Sequence, residues 1–300
     1  MASLKRVSQI ESEVTQLLDN AGIHNCIWGE GILLMLGVSL TLEKFTWVIP
    51  DDEIDKANKA LRYWTYERLM KSEHPGKPYG ECLGDYIYRC SSNDRREVHL
   101  IRQSRLCWTF PRPPIWSPKP DDKFYMLTRE MQRLSEGLTL RDYSLRESYP
   151  VRMPKPARFL EALVLLRVRD LFVPKPFDPW GKQLKMIARH LFEVFVCDGL
   201  LAPFGDYLVR YKTQIKDEDR ESFSYADLFK MYACLTKMRQ LPLPDEQVTK
   251  GNFSEEQDAK ERFRKMRVTP GPIPYRGPMP GTWVMSHYDV AKALENELWG

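Results

Sequence analysis

Apolar residues recur at helical spacing near the N-terminus. They stand every three or four positions ahead of the stop signal Asn20–Gly22, and they are Leu4, Val7, Ile10, Val14, Leu17 and Leu18. Such a stripe lies on one face of a helix, because 3.6 residues complete a turn. The pattern predicts an amphipathic helix that ends at residues 20–22.

Short apolar runs separated by turn residues follow this helix. Two glycines in Trp28–Gly31 permit a tight turn between a strand and a helix. Pro50 closes a later strand, after which Asp51 or Asp52 is placed to cap a helix. The predicted elements are a strand at Ile23–Ile27, a helix at Ile32–Leu36, a strand at Phe45–Ile49 and a helix through Leu61.

A hairpin is the last strand pair that the pattern predicts. Its strands are Tyr86–Cys90 and Glu97–Ile101, with the turn at Ser91–Asp94. We expect no sheet beyond this hairpin. The proline-rich stretch Pro111–Pro120 then predicts an external connection between two lobes.

The remainder of the chain has helical periodicity. The predicted helices are Ala157–Leu171, Lys182–Cys197, Phe204–Thr213, Tyr225–Met238, Glu255–Met266 and Tyr288–Leu298. The fold class is therefore α+β, with an α/β lobe over residues 1–125, a helical lobe over residues 126–300 and a cleft between them. A chain of 300 residues is long enough to bury a core in this arrangement.

Composition excludes several classes of function. A formal charge of +4, dispersed along the chain, does not indicate a nucleic-acid surface. No apolar run is long enough to span a membrane or to act as a signal peptide, so we expect a cytoplasmic protein. The six cysteines lack metal-ligand spacing and are interpreted as buried free thiols.

Four short segments, in this order, resemble fungal proteins of the nucleotidyltransferase fold. The resemblance covers roughly residues 1–175, and its segments are Ile27–Glu30, Val48–Asp52, Ser104–Trp108 and Glu161–Asp170. It implies a nucleotidyltransferase-like mixed sheet with flanking helices. In that fold a glycine-rich turn holds the triphosphate, and two carboxylates on alternate strand residues bind Mg²⁺.

The matching positions here do not carry that pair of carboxylates. Lys44 and Thr46 stand where the resemblance implies aspartates. An ammonium repels Mg²⁺, and a hydroxyl does not supply a carboxylate's charge. Glu43 faces the other side of the strand, and Glu97 alone does not make a two-metal site. We therefore expect no metal ion and no cofactor.

The same positions suggest a metal-free site for an apolar small molecule. The candidate catalytic residues are Lys44, His99 and Glu30, and the candidate substrate-binding residues are Trp28, Thr46, Trp47, Trp108 and Tyr125. Lys44 would donate a hydrogen bond to a carbonyl or form a Schiff base. Structural alternatives stay open: a surface lysine, a satisfied core histidine, and a glutamate that complements a helix dipole.

Three functions remain open on the sequence alone. The first is a repurposed enzyme that cyclises an apolar molecule in a fungal natural-product pathway, comparable to a norbornene-forming Diels–Alder cyclase. The second is a divergent nucleotidyltransferase that uses ATP and Mg²⁺. The third is a non-catalytic protein that binds a nucleotide or a protein partner.

Overall fold

The computed structural model describes twelve stretches of the chain. They are residues 7–36, 38, 40–62, 67–69, 84–91, 94–134, 149–170, 178–190, 200, 203–216 and 225–241 without 239. The chain divides into two compact units, one of residues 1–166 with 173–200 and the other of residues 167–172 with 201–300. The boundary predicted at residue 125 and the cleft stay predictions. No helix among the described residues is long and apolar enough to cross a membrane.

The described elements confirm a mixed α+β architecture. Its helices are α1 (Val7–Asn20), α2 (Glu30–Met35), α3 (Ile54–Arg62), α4 (Gln103–Leu106), α5 (Thr128–Leu134), α6 (Pro156–Arg169), α7 (Pro179–His190), α8 (Phe204–Lys216) and α9 (Tyr225–Lys237). Its strands are β1 (Cys26–Trp28), β2 (Lys44–Ile49), β3 (Glu67–Leu69), β4 (Tyr86–Ser91), β5 (Asp94–Arg102), β6 (Tyr125–Leu127) and β7 (Arg152–Pro154). The predicted helices at 255–266 and 288–298 lie outside the described residues. The helical C-terminal lobe as a whole stays a prediction.

The larger sheet has the strand order β1-β2-β5-β4-β3. Strands β2 and β5 run parallel, whereas the other neighbouring strands are antiparallel. The predicted pair of hairpin strands is confirmed, since β4 and β5 are neighbours and antiparallel. Because β2 and β5 are parallel, their carboxyl ends meet at one edge of the sheet and their amino ends at the other.

One face of this sheet packs on α1 and α3. The indole Nε1 of Trp47 donates to Thr15 Oγ1 on α1 at 3.2 Å. The hydroxyl of Tyr88 donates to Asn58 Oδ1 on α3 at 2.6 Å. Both aromatic side chains are fully buried. Burial of these rings stabilises the fold while their polar atoms keep partners.

The expectation that no sheet follows the hairpin is wrong. Strands β6 and β7 form a separate antiparallel pair, in which Tyr125 pairs with Pro154 and Leu127 with Arg152. Each strand has only three residues, all buried, so neither shows the alternation that identifies a longer strand. Strand β7 also packs beside β1.

The expectation that Asp51 or Asp52 caps α3 is also wrong. Residues Asp51–Glu53 form a 3₁₀ turn ahead of the helix, with no side-chain cap. Asp51 instead accepts hydrogen bonds from Ser104, and Asp52 pairs with Arg112. These aspartates therefore link the end of β2 to later parts of the chain.

A buried ion pair joins two segments of the first unit that are far apart in sequence. The guanidinium of Arg152 on β7 donates to both carboxylate oxygens of Asp19, at 2.8 and 2.5 Å. Both side chains are completely buried. The pair connects α1 to β7 across 133 positions of sequence, and nothing in the sequence pattern indicates it.

Candidate functional site

The register of the sheet brings most of the predicted site residues onto one face. Trp28 pairs with Thr46 across β1 and β2, and Thr46 pairs with His99 across β2 and β5. Lys44 pairs with Glu97 in the same way. Directly paired residues project to the same side of a sheet. The sheet therefore carries a row of Trp28, Thr46 and His99 beside a second row of Lys44 and Glu97.

The turn between β1 and α2 lies beside the amino end of β2. Gly29 has φ 70° and ψ −127°, a conformation that residues with a side chain rarely adopt. Glu30 begins α2 directly after it and accepts a hydrogen bond from the Lys44 backbone N–H, at 3.3 Å from Oε2. The predicted catalytic residues Glu30 and Lys44 thus lie together at the amino end of β2.

His99 is buried, and both of its ring nitrogens have partners. Nδ1 accepts a hydrogen bond from the Gly84 backbone N–H at 3.4 Å, and Nε2 lies 2.9 Å from Glu97 Oε2. Because Nδ1 is an acceptor, the proton resides on Nε2 and is donated to the carboxylate. This arrangement makes His99 a group that orients Glu97, whose side chain is 31% exposed. The predicted catalytic role of His99 stays a prediction.

Gly84 fits against His99 only because it lacks a side chain. A Cβ at this position would stand 2.8 Å from the Tyr86 carbonyl oxygen and 3.2 Å from the Cβ of His99. We expect Gly84→Ala to lower the free energy of unfolding by about 1–3 kcal/mol, since backbone has to move. Urea denaturation measures the change. Gly29→Ala is the comparison, because its Cβ would meet no atom within 4 Å and only its backbone conformation opposes the substitution.

An aromatic cluster covers the Trp28 end of this row. The indole ring of Trp28 stands edge-on to Phe159 of α6 at 4.9 Å and to Phe110 at 6.5 Å. Phe110 in turn contacts Phe124 and Tyr125. The sequence predicts Trp28 and Tyr125 as substrate-binding residues, but it does not indicate Phe110 or Phe159. The helical spacing of apolar residues predicts only that Phe159 faces the core. Phe110 lies in a loop that has no such spacing.

Trp28 combines deep burial with an unused hydrogen-bond donor. Its side chain is 2% exposed. Among the residues that the structure describes, its Nε1–H meets no hydrogen-bond acceptor. A buried donor without a partner costs about 1–3 kcal/mol and calls for an explanation. A ligand oxygen that accepts this hydrogen bond would remove that cost.

The polar groups near this cluster are held in their neutral forms. Burial raises the pKa of Tyr125, whose hydroxyl donates to the Pro111 carbonyl at 2.6 Å. Burial also raises the pKa of the Cys26 thiol to about 12, and it raises the pKa of Cys107 well above its usual range. The buried free thiols predicted at Cys26 and Cys107 are confirmed, while Cys234 is half-buried. The other three cysteine side chains lie outside the described residues.

These thiols make stability depend on alkaline pH. A cysteine in the unfolded chain ionises near pH 9.0, whereas folded Cys26 keeps its proton to about pH 12. The unfolded state binds fewer protons in this interval, so stability is complete below pH 9 and falls as pH rises toward 12. We expect Cys26→Ala to make this decline shallower by up to about 1.4 kcal/mol per pH unit. Denaturant unfolding at several alkaline pH values gives the slopes, and equal slopes would contradict the assignment.

Two predicted substrate-binding residues lie apart from this face. Trp47 is on the opposite face, where it is fully buried and donates a hydrogen bond to Thr15 on α1. Trp108 lies beyond the carboxyl end of β5, where it lines a surface pocket. The structure therefore places five predicted residues together: Trp28, Thr46, Lys44, His99 and Glu30. Tyr125 is connected to Trp28 through Phe110, which contacts both rings. Trp47 and Trp108 lie elsewhere.

No cluster for a metal ion is visible in the described part of the chain. Within those ranges, no three His, Cys, Asp or Glu side chains lie close enough together to hold one. The expected metal-free chemistry stays a prediction.

Comparison with protein-family models, with curated proteins and with solved structures finds no match for this chain.

Proposed function

We propose that this chain is a cytoplasmic, metal-independent enzyme with a nucleotidyltransferase-like sheet that has been adapted to an apolar small molecule. Its reaction is an intramolecular cyclisation of the Diels–Alder type in natural-product biosynthesis. The substrate lies against the Trp28 end of the sheet and presents a carbonyl group to a hydrogen-bond donor. No cofactor takes part in this reaction.

The observation that carries the proposal is the unpartnered indole N–H of Trp28 inside an aromatic cluster. Apolar pockets with few polar groups are the usual environment for small organic ligands. A single hydrogen-bond donor aimed at the substrate's carbonyl oxygen both orients the substrate and polarises its carbonyl group. Thr46, which pairs with Trp28 across the sheet, and Lys44 at the strand start are further donors on the same face.

The charges on this face support a role without Mg²⁺. Lys44 pairs with Glu97 in the register, so a cation stands where a nucleotidyltransferase-like site would need a second acid. The remaining carboxylate, Glu97, accepts a hydrogen bond from His99. The two positions that correspond to the metal-binding aspartates, Lys44 and Thr46, thus carry donor groups and no carboxylate.

The proposed cycloaddition needs only two contributions from the protein, which are the positioning of the reacting carbons and a hydrogen bond to the carbonyl. In a cycloaddition two carbon–carbon σ bonds form while three π bonds become one, and no proton, electron or leaving group is exchanged. Holding diene and dienophile in contact lowers the barrier by several kcal/mol, up to about 7–11 in favourable cases. A hydrogen bond to the dienophile carbonyl adds about 3 kcal/mol by withdrawing electron density.

A substrate screen tests the proposal. Linear polyenes that carry a conjugated diene and an unsaturated aldehyde are incubated with protein in EDTA. We expect one of them to form a single stereoisomeric product of unchanged mass faster than in buffer or with heat-denatured protein. ATP consumption that requires Mg²⁺ would instead support the nucleotidyltransferase function, and an acceleration seen only when EDTA is left out would contradict metal independence. No acceleration across the series would count against the proposed cyclisation.

A further inference from the structure

A second candidate site lies at the opposite edge of the sheet from Lys44. A surface pocket of about 280 Å³ is lined by residues that follow the carboxyl ends of β2 and β5, together with Trp108 and Arg112. Pro50 directly follows β2, and Gln103 directly follows β5. In α/β proteins ligands commonly bind beyond the carboxyl ends of adjacent parallel strands. Its volume is just under the range of about 300–1,000 Å³ that is usual for small-molecule pockets.

The polar groups of this pocket have little donor capacity left. Gln103 gives its Nε2 hydrogens to the carbonyls of Phe110 and Pro111, at 2.8 and 3.1 Å. Ser104 gives both its backbone N–H and its hydroxyl to Asp51, at 3.0 and 2.5 Å. The amide oxygen of Gln103, the Ser104 hydroxyl oxygen and the remaining lone pairs of Asp51 are acceptors. The pocket therefore suits a ligand that brings several donors.

The charge of the pocket is negative. Arg112 is the single cation of the described lining, and its guanidinium is shared by Asp52 and Glu53. The hydrogen bond from Arg112 holds the pKa of Asp52 below its usual range, so Asp52 stays ionised and paired. Asp51 receives only the neutral donors of Ser104 among the described residues. One carboxylate charge in the lining is thus left without a cation.

Trp108 adds an aromatic wall to the same pocket. An indole ring attracts cations through the negative potential of its face. A carboxylate, a set of acceptors and an indole together match an ammonium group, which has three donors and a positive charge.

We propose that this pocket binds a small organic ammonium ion, with Asp51 as the counter-ion and Trp108 against the cation. This site is separate from the Trp28 face, so it holds whether or not the proposed cyclisation is correct.

Benzylamine, benzyl alcohol and benzoate are the probes, because they share a ring and differ in charge. Each is titrated into the unaltered protein while the indole N–H signal of Trp108 is followed by NMR, with Trp108→Phe providing the assignment. We expect benzylamine to shift this signal saturably at millimolar concentrations. Benzyl alcohol and benzoate should bind at least about tenfold more weakly, because they lack the charge-assisted hydrogen bonds.

Variants locate the interaction. Asp51→Asn keeps an acceptor for Ser104 but removes the charge, and it should weaken benzylamine about tenfold or more. Trp108→Ala lacks the indole signal, so its binding is followed by line broadening of the benzylamine ring protons; it should weaken benzylamine about two- to fivefold. Asp121→Asn removes an exposed carboxylate outside the lining and should change nothing. Equal binding of benzylamine and benzyl alcohol, no saturable shift, or full affinity in Asp51→Asn would overturn the proposal.

Discussion

Asp19→Asn is expected to lower the free energy of unfolding by about 3–5 kcal/mol, the largest loss among the substitutions considered. The change removes the negative charge but keeps the side chain's size. It leaves the guanidinium of Arg152 charged and fully buried without a counter-ion. Breaking a buried ion pair on one side has a cost of this magnitude because the remaining charge is not solvated.

The hydrogen bonds of Arg152 explain why the pair is tolerated in the native protein. Its guanidinium N–H groups donate to the Asp19 carboxylate, to the carbonyl and side-chain oxygens of Asn25, and to the Trp116 carbonyl. The Tyr149 hydroxyl donates to the same carboxylate. A buried charge is acceptable when its partners are this complete.

Denaturant unfolding of Asp19→Asn and of Asp52→Asn separates burial from charge. Asp52 also pairs with an arginine, but its side chain is 67% exposed. Exposed pairs contribute little because water and salt screen them, so Asp52→Asn should leave the midpoint nearly unchanged. Similar losses in the two variants would show that burial of the Asp19 pair is not what matters.

Trp28→Phe is expected to slow the proposed cyclisation by about a hundred- to a thousandfold while the fold stays intact. Phenylalanine keeps the aromatic contacts to Phe159 and Phe110 but has no N–H. Because the native N–H has no partner among the described residues, its loss breaks no hydrogen bond, and the free energy of unfolding should fall only by the packing lost with the smaller ring. A drop in turnover far larger than this packing loss explains is the signature of a donor that serves the substrate.

Trp47→Phe is the matched control for this result. The same substitution there breaks the hydrogen bond to Thr15 inside the core, so stability should fall by about 1–3 kcal/mol. Turnover should be retained, since Trp47 lies on the other face of the sheet. Full turnover in Trp28→Phe, or equal losses of stability in the two variants, would remove the indole N–H from the mechanism.

Sequence periodicity accounts for the local elements and for part of the site. Helix α1, strand β2 and the hairpin appear where apolar spacing predicts them, because each is defined by neighbours a few residues apart. The shared face of Lys44 and Thr46 follows from strand alternation, and the register confirms it. The same alternation places Trp47 on the opposite face, so that separation was already present in the sequence.

Contacts between distant segments were not predictable in this way. The contacts of Trp28 with Phe159 and of Asp19 with Arg152 join residues that are far apart in sequence. Periodicity carries no information about such pairs, because it reports only which side of an element is buried. The short strands β6 and β7 depend on these long-range contacts too, which is why their sequences alone gave no strand signal.

The most direct test of a metal-independent site is a calorimetric titration of ATP with Mg²⁺ into the unaltered protein. A Lys44→Asp/Thr46→Asp variant, which restores two carboxylates on one face, is titrated alongside it. The proposed function predicts no binding heat for the unaltered protein, whatever the reconstructed site does. Micromolar binding that disappears when EDTA is added would contradict it and would show that a nucleotide site survives at this sheet edge.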